Sequence, residues 1–228
     1  MSAVEISNVT KTFRSVCAID QLSLSVPLGA VYGFIGPNGS GKSTTMRMIA
    51  NILYPDSGTI SVFGQQRAGT RSGDIGYLPE ERGLYRKMRV RDLLEFHGEL
   101  RGGRNVGTEV NAWLERLGLA HCAERKVETL SKGMSQKIQF IATVVPEPKL
   151  LILDEPTEGI QPNIVHEIGD IILRLNKEEG LTVLLVEQKL PFARRVASEF
   201  CILDKGRRAA AGPIEELTDE IVRQHLSV

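Results

Sequence analysis

The chain has 228 residues, 42% hydrophobic and 25% charged, enough for a full core and unlike a disordered, collagen-like or membrane-spanning sequence. Twenty-eight Lys and Arg offset 28 Asp and Glu, so no global field favours nucleic acid or acidic lipid, and binding specificity has to be local. Nucleic acid is therefore not an expected partner.

Taken in chain order, residues 4–9, 22–26 and 31–35 read as strands, and the last runs into a Gly-rich turn and a helix over 42–51. Strands follow at 59–63 and 75–78. Residues 90–145 are expected to be helical, with interruptions at 101–107 and 123–129, and form a candidate inserted subdomain. A β-α-β rhythm returns from residue 150: strand 150–153, helix 163–178, strand 182–186, helix 191–197 and strand 200–203. Alternation of this kind predicts an α/β fold around a parallel sheet. The longest uncharged apolar stretches, near 30–35 and 181–186, fall far short of the ~18 residues a membrane span needs, and residues 1–15 lack the apolar core of a signal peptide. A cytoplasmic location is expected. Cys17, Cys122 and Cys201 share no metal-ligand spacing and are odd in number, so they are expected to be reduced and structural.

Residues 36–44 read GPNGSGKST, the G-x-x-x-x-G-K-[ST] pattern in the strand-to-helix setting it requires. Gly36, Gly39 and Gly41 let the backbone curl so that successive N–H groups point inward, and the helix N-terminus adds partial positive charge. Lys42 supplies a full charge for the β- and γ-phosphates, and the Ser43 hydroxyl is placed to ligate Mg²⁺. Asn38, Ser40 and Thr44 complete the expected nucleotide contacts. The apolar strand at 150–153 ends in Asp154-Glu155. A carboxylate at the C-terminal edge of a strand beside the phosphate loop can hold Mg²⁺, the role expected for Asp154. Glu155 is the candidate general base for the water that attacks the γ-phosphorus. Taken alone, the two acids are equally readable as a strand cap.

With these motifs the sequence resembles, over nearly its whole length, the ATP-binding subunit of ABC transporters. The resemblance implies a P-loop NTPase of the ABC ATPase fold: a nucleotide-binding core (1–80 and 146–228), an antiparallel β subdomain and a helical subdomain (81–145) within one domain. It implies ATP and Mg²⁺ as ligands, a second ATPase subunit, an integral membrane permease, and a position at the inner face of the cell membrane. The family's signature loop corresponds to residues 130–135, LSKGMS, where Ser131 and Gly133 would meet the γ-phosphate held by a facing subunit. Ser131 is otherwise readable as an ordinary helix N-cap. Phe13 stands where the family stacks a ring on adenine, with Val16 as its apolar neighbour; alone, Phe13 reads as core.

Several positions depart from the family pattern. Glu80 replaces a glutamine that senses metal and attacking water, Lys132 a glycine, Met134 a glutamine, Gln161 an aspartate and Gln188 a histidine. Glu80 can still bind Mg²⁺, and Gln188 can hydrogen-bond the γ-phosphate but carries no proton, so slow turnover is expected. Residues 76–85 (GYLPEERGLY) and 130–137 (LSKGMSQK) are similar to export-type ATPases, whereas 155–162 (EPTEGIQP), 184–188 (LLVEQ) and the C-terminal text are similar to those of urea and branched-chain amino acid uptake systems. A chimera joined near 148–155 and a seamless natural sequence both account for that mosaic. Residues 80–102 mix Arg86, Lys87, Arg89 and Arg91 with Met88, Leu93, Leu94 and Phe96, readable as a permease-docking surface or a solvated helix face. Two competing functions remain at this stage: a soluble ATPase of the same fold uncoupled from transport, and a nucleotide-dependent dimerisation module with weak hydrolysis.

Overall fold

The computed structural model describes residues 1–66, 72–80, 83–103 and 105–226. Glu81 and Arg82 of the export-type motif lie outside the described residues, as does Arg104 in the expected interruption at 101–107. Strands β1 (Ser2–Phe13) and β2 (Val16–Pro27) form a long antiparallel hairpin, β4 (Ser57–Val62) pairs with β1, and the two-residue β5 (Gln65–Gln66) pairs with β4. This is the antiparallel subdomain. In β1, Val4 and Ile6 are buried and Glu5 is exposed, the alternation of a sheet with one face on the core. Both hairpin strands run further than the apolar residues alone foretold, because pairing continues through the polar 10–13 segment to a turn at Arg14, whose φ is 54°.

The second sheet has the order β10-β9-β3-β8-β7-β6. Its parallel core comprises β3 (Val31–Ile35), β6 (Ile75–Leu78), β7 (Leu150–Asp154), β8 (Thr182–Glu187) and β9 (Glu199–Asp204). Strand β10 (Arg207–Pro213) is antiparallel to β9 and, like α7 (Asp219–Leu226), had no strong periodic signal. Every residue of β3, β7 and β8 is buried, as in strands covered on both faces.

Alternate residues of these strands feed two cores. Leu151, Leu153, Val183 and Leu185 join a cluster with Leu93, Leu94, Trp113 and Phe140 of the helical insert, and with Ile168 and Ile172. Leu150, Ile152, Leu184 and Val186 pack on the other side against the antiparallel sheet and against Met46, Met48 and Ile49 of α1 (Lys42–Ile49). The insert contains α2 (Val90–Leu100), α3 (Val106–Arg116) and α4 (Lys132–Val144), followed after β7 by α5 (Pro162–Glu179) and α6 (Leu190–Val196). Helix α3 stops at Arg116 rather than running on to residue 122, because Gly118 adopts a left-handed φ of 68° two residues later.

Two expectations are corrected by burial. Cys122 and Cys201 are buried, but Cys17 is exposed on β2, so it has no core role; all three are free thiols. Leu93 and Leu94 are fully buried and belong to the core, not to a docking surface. Phe96 is 40% exposed and meets Tyr85 edge-on, ring centroids 5.9 Å apart, so the surface available here is aromatic. Arg89 and Arg91 are paired with Glu124 within the insert. Leu94→Ala is accordingly expected to cost ~2–5 kcal/mol in urea unfolding, whereas Phe96→Ala is expected to change stability by less than about 1 kcal/mol.

Candidate functional site

The phosphate loop connects β3 to α1, and its glycines answer to close neighbours. A Cβ on Gly36 would stand 2.3 Å from the Leu203 carbonyl oxygen, and one on Gly41 would stand 2.5 Å from Ile19 Cδ1 and 2.6 Å from the Ala18 carbonyl. Gly41 also adopts φ 102° as the residue before α1, open to glycine alone without strain. The Gly206 N–H donates to the Ser40 carbonyl at 2.9 Å, tying the loop to the β9–β10 turn. Lys42 is nearly buried, and its Nζ donates to the carbonyls of Gly36 (2.8 Å) and Pro37 (3.0 Å). Burial lowers the Lys42 pKa, opposed by the charges of Glu155, Asp154 and Glu80. Ser40 Oγ is buried with no hydrogen-bond partner among the described residues.

Asp154 closes β7 beside this loop. Its Oδ1 accepts from Ser43 Oγ at 3.1 Å and its Oδ2 from Tyr77 Oη at 3.2 Å. Burial pushes the Asp154 carboxyl up, and the two hydroxyls pull it back. Tyr77 is itself pushed up to about 12, chiefly by burial and then by Asp154, so its phenol stays a donor at neutral pH. Glu155 follows with a left-handed φ of 51°, which turns its side chain out of the strand direction. Its Oε1 accepts from Gln188 Nε2 at 2.6 Å, and the same nitrogen lies 2.7 Å from Asn38 Oδ1. Carboxylate oxygens of Glu80, Glu155 and Glu158 lie within 4.8 Å of one another. The Glu80 carboxyl is raised first by burial, then by the charges of Glu155, Glu158 and Asp154.

A cavity of about 470 Å³ joins the two halves, lined by Asn38, Gly39, Gly41, Lys42, Ser43 and Thr44 together with Ala18, Glu80 and Glu155. The donor set fits a hard divalent cation such as Mg²⁺: the Ser43 hydroxyl and the Asp154 carboxylate already share a hydrogen bond, and Glu80 stands on the same cavity wall. The orphaned Ser40 hydroxyl and the buried Lys42 ammonium suit an oxyanion.

Other expected residues lie apart. Phe13 and Val16 face each other across the hairpin tip, 44% and 64% exposed, so Phe13 is not core; neither lines the phosphate cavity. The Lys11 ammonium lies 5.5 Å from the Phe13 ring centroid. Ser131 is the N-cap of α4, its Oγ accepting from the Met134 N–H at 3.2 Å, and a Cβ on Gly133 would stand 2.2 Å from Ile164 Cδ1, so a larger residue would have to push that side chain's end aside. Neither lines the cavity of the same chain.

Sequence reasoning missed Ala18, Tyr77 and Glu158, whose proximity depends on strand register and loop shape. It also missed a knot behind Gln188. Glu187, 2% exposed, accepts from Thr157 Oγ1 and from the Lys189 N–H at 3.1 Å, while Lys189 Nζ donates to the Thr157 carbonyl at 2.7 Å. The loop after β7 and the loop after β8 are thereby fastened together.

Residues 19–158 match the family model described as ABC transporter. The chain is 40% identical over 225 residues to the ABC transporter ATP-binding protein YhaQ of Bacillus subtilis, covering 98% of this chain and 75% of that protein. It is 35% identical to the daunorubicin/doxorubicin resistance ATP-binding protein DrrA of Streptomyces peucetius, covering 96% and 68%. Among solved structures, the ATP-binding subunit of an ABC transporter superimposes with a TM-score of 0.86 at 28% identity, covering 98% of this chain and 93% of that one.

The buried Glu187 gives a pH test. Burial raises its carboxyl above the ordinary 4.5, so the folded chain retains a proton there that the unfolded chain has released. Stability from this group therefore falls as pH rises through that interval. Glu187→Gln removes the titration, and the difference in Tm, variant minus wild type, is expected to increase from about pH 4 towards about pH 7. A difference independent of pH would overturn the assignment.

Proposed function

The chain belongs to the ABC transporter family of ATP-binding proteins, and on that premise we propose that it works as one half of a dimer closed around two Mg-ATP, driving an export-type membrane permease. Its activity as a family member is ATP binding and hydrolysis. The observation that carries the residue assignment is the meeting of the phosphate loop with the end of β7, where Ser43 Oγ reaches Asp154 at 3.1 Å and Glu155 lines the same cavity.

In this reading the backbone N–H groups of residues 38–44 bind the α- and β-phosphates, and Lys42 exchanges the carbonyls of Gly36 and Pro37 for phosphate oxygens. Ser43, Asp154 and Glu80 would hold Mg²⁺, which when bound neutralises charge on the β- and γ-phosphates. Glu155, on the cavity wall, orients the attacking water and accepts its proton, and Gln188 donates to the Glu155 carboxylate. Phe13, with Val16 beside it, offers an exposed ring to adenine at the hairpin tip. Ser131 and Gly133 of a second copy, at the N-terminus of α4, complete the γ-phosphate site.

Residues 81–145 act as a helical subdomain inserted in a single domain formed with 1–80 and 146–228. The exposed Tyr85–Phe96 pair is the permease-facing patch in this reading, in which the chain works at the inner face of the membrane. Among the described residues no helix is long and apolar enough to cross a membrane. The name of DrrA, a daunorubicin/doxorubicin resistance ATP-binding protein, supports export as the direction. The uptake-like text of 155–162 and 184–188 is the ground for a chimeric origin with a join near 148–155; both parental segments in separate natural chains would support it. A second reading, a dimerisation module with weak turnover, is favoured by Glu80, Met134, Gln161 and Gln188.

Single-turnover hydrolysis with size-exclusion chromatography tests both. Glu155→Gln is expected to slow hydrolysis by about 10²-fold or more while retaining ATP and accumulating an ATP-bound dimer. Hydrolysis by this variant at the wild-type rate would overturn the general-base assignment, and a wild type with negligible turnover would favour the dimerisation module.

A further inference from the structure

The side-chain amide of Gln188 is committed at both of its N–H groups. Nε2 donates to Asn38 Oδ1 at 2.7 Å and to Glu155 Oε1 at 2.6 Å. Strand β8 lies between β3 and β7, so the residue that follows β8 emerges between the phosphate loop and the carboxylate that ends the neighbouring strand. Among the described residues Gln188 is the one side-chain donor to Glu155, whose carboxylate is crowded by those of Glu80 and Glu158 within 4.8 Å. Like charges at that range drive a carboxylate away from its neighbours, and one hydrogen bond opposes them.

A glutamine amide does not choose its orientation by shape, because its oxygen and nitrogen are nearly the same size. Turned over, Gln188 would set its oxygen against the Glu155 carboxylate, acceptor against acceptor. One contact alone favours the donor orientation only weakly, which creates a need for a second. Asn38 meets it. With Asn38 Oδ1 in place as the second acceptor, turning the Gln188 amide alone would oppose oxygen to oxygen at both ends and forfeit two hydrogen bonds instead of one.

We propose that Asn38 is a positioning residue for hydrolysis: by accepting from Gln188 it fixes that amide as a donor and so holds the Glu155 carboxylate in its working orientation. This role is separate from lining the nucleotide cavity, and it rests on the assignment of Glu155 as the base of an ATPase. Neither amide of the linkage carries a titratable proton, unlike a histidine in the place of Gln188.

A double-mutant cycle in the full chain tests the linkage. Wild type, Asn38→Ala, Gln188→Ala and the double variant are compared for kcat and KM with Mg-ATP. Asn38→Ala is expected to lower kcat by about five- to tenfold with KM changed by less than about twofold, the signature of lost transition-state orientation rather than lost binding. The double variant is expected to be no slower than Gln188→Ala alone, since both residues act through one chain of contacts. Asn38→Asp, which keeps an acceptor oxygen, is expected to recover most of kcat while raising KM through its charge beside the phosphates. Losses in Asn38→Ala confined to KM, or losses that multiply in the double variant, would overturn the proposal. A wild type that does not hydrolyse ATP would overturn the ATPase assignment and this inference with it; an active wild type with multiplying losses overturns this inference alone. Asn38 is exposed, so the alanine variant is expected to fold, and an unchanged Tm verifies it.

Discussion

The order of strands at the carboxyl edge of the parallel sheet governs everything the chain does chemically. In the sequence β3-β8-β7-β6, the residues that leave the strands form a row: the phosphate loop, then Gln188, then Asp154 and Glu155, then Glu80. These positions are separated by up to 150 residues of chain, and only the sheet brings them side by side. Parallel strands must be covered on both faces, so the site's rigidity is inherited from two cores at once. Alternate residues of β7 and β8 commit to opposite clusters, and a shift of either strand by one residue would move leucines and valines to the wrong side.

Electrostatics then divides the labour among the acids. Asp154 is buried and held by two hydroxyls, which fixes its geometry at the expense of a raised pKa. Glu155 stands one residue later in a left-handed backbone, directed into the cavity instead of along the strand. Glu187 is buried on the next strand and serves as a structural acceptor, joining the Thr157 hydroxyl to the Lys189 backbone. Three neighbouring carboxylates thus have different surroundings, and environment, not residue type, separates the one that packs from the one that faces the cavity.

Much of this was legible in the sequence, and the boundary of legibility is physical. Strands β3 and β6 were read to the residue, since short, mostly apolar runs closed by Gly36 and Pro79 leave little choice. The phosphate loop and the Asp154-Glu155 pair were legible because backbone curvature demands glycine and strand ends expose acids. Strands β5 and β10 were not, because one is two residues long and the other is largely exposed alanine and arginine. Leu94 misled for a related reason: on an amphipathic helix, 3.6-residue periodicity does not say which neighbouring apolar residue faces inward, and Leu94 faces the core while Phe96 faces out. The Asn38–Gln188–Glu155 linkage and the Tyr77–Asp154 bond depend on which strands are neighbours, and a single sequence does not state that order.

The stitching of Lys42 to its own loop carries a consequence for how quickly a ligand is received. Its ammonium spans the carbonyls of Gly36 and Pro37, while Gly206 grips the loop from the far side. The cradle is thus moulded by internal contacts before any guest arrives, and capture proceeds by swapping hydrogen bonds one for one, with little reshaping of the backbone. Such a pocket spares an arriving guest the cost of ordering the backbone, while the two carbonyl bonds that the ammonium must surrender temper the gain.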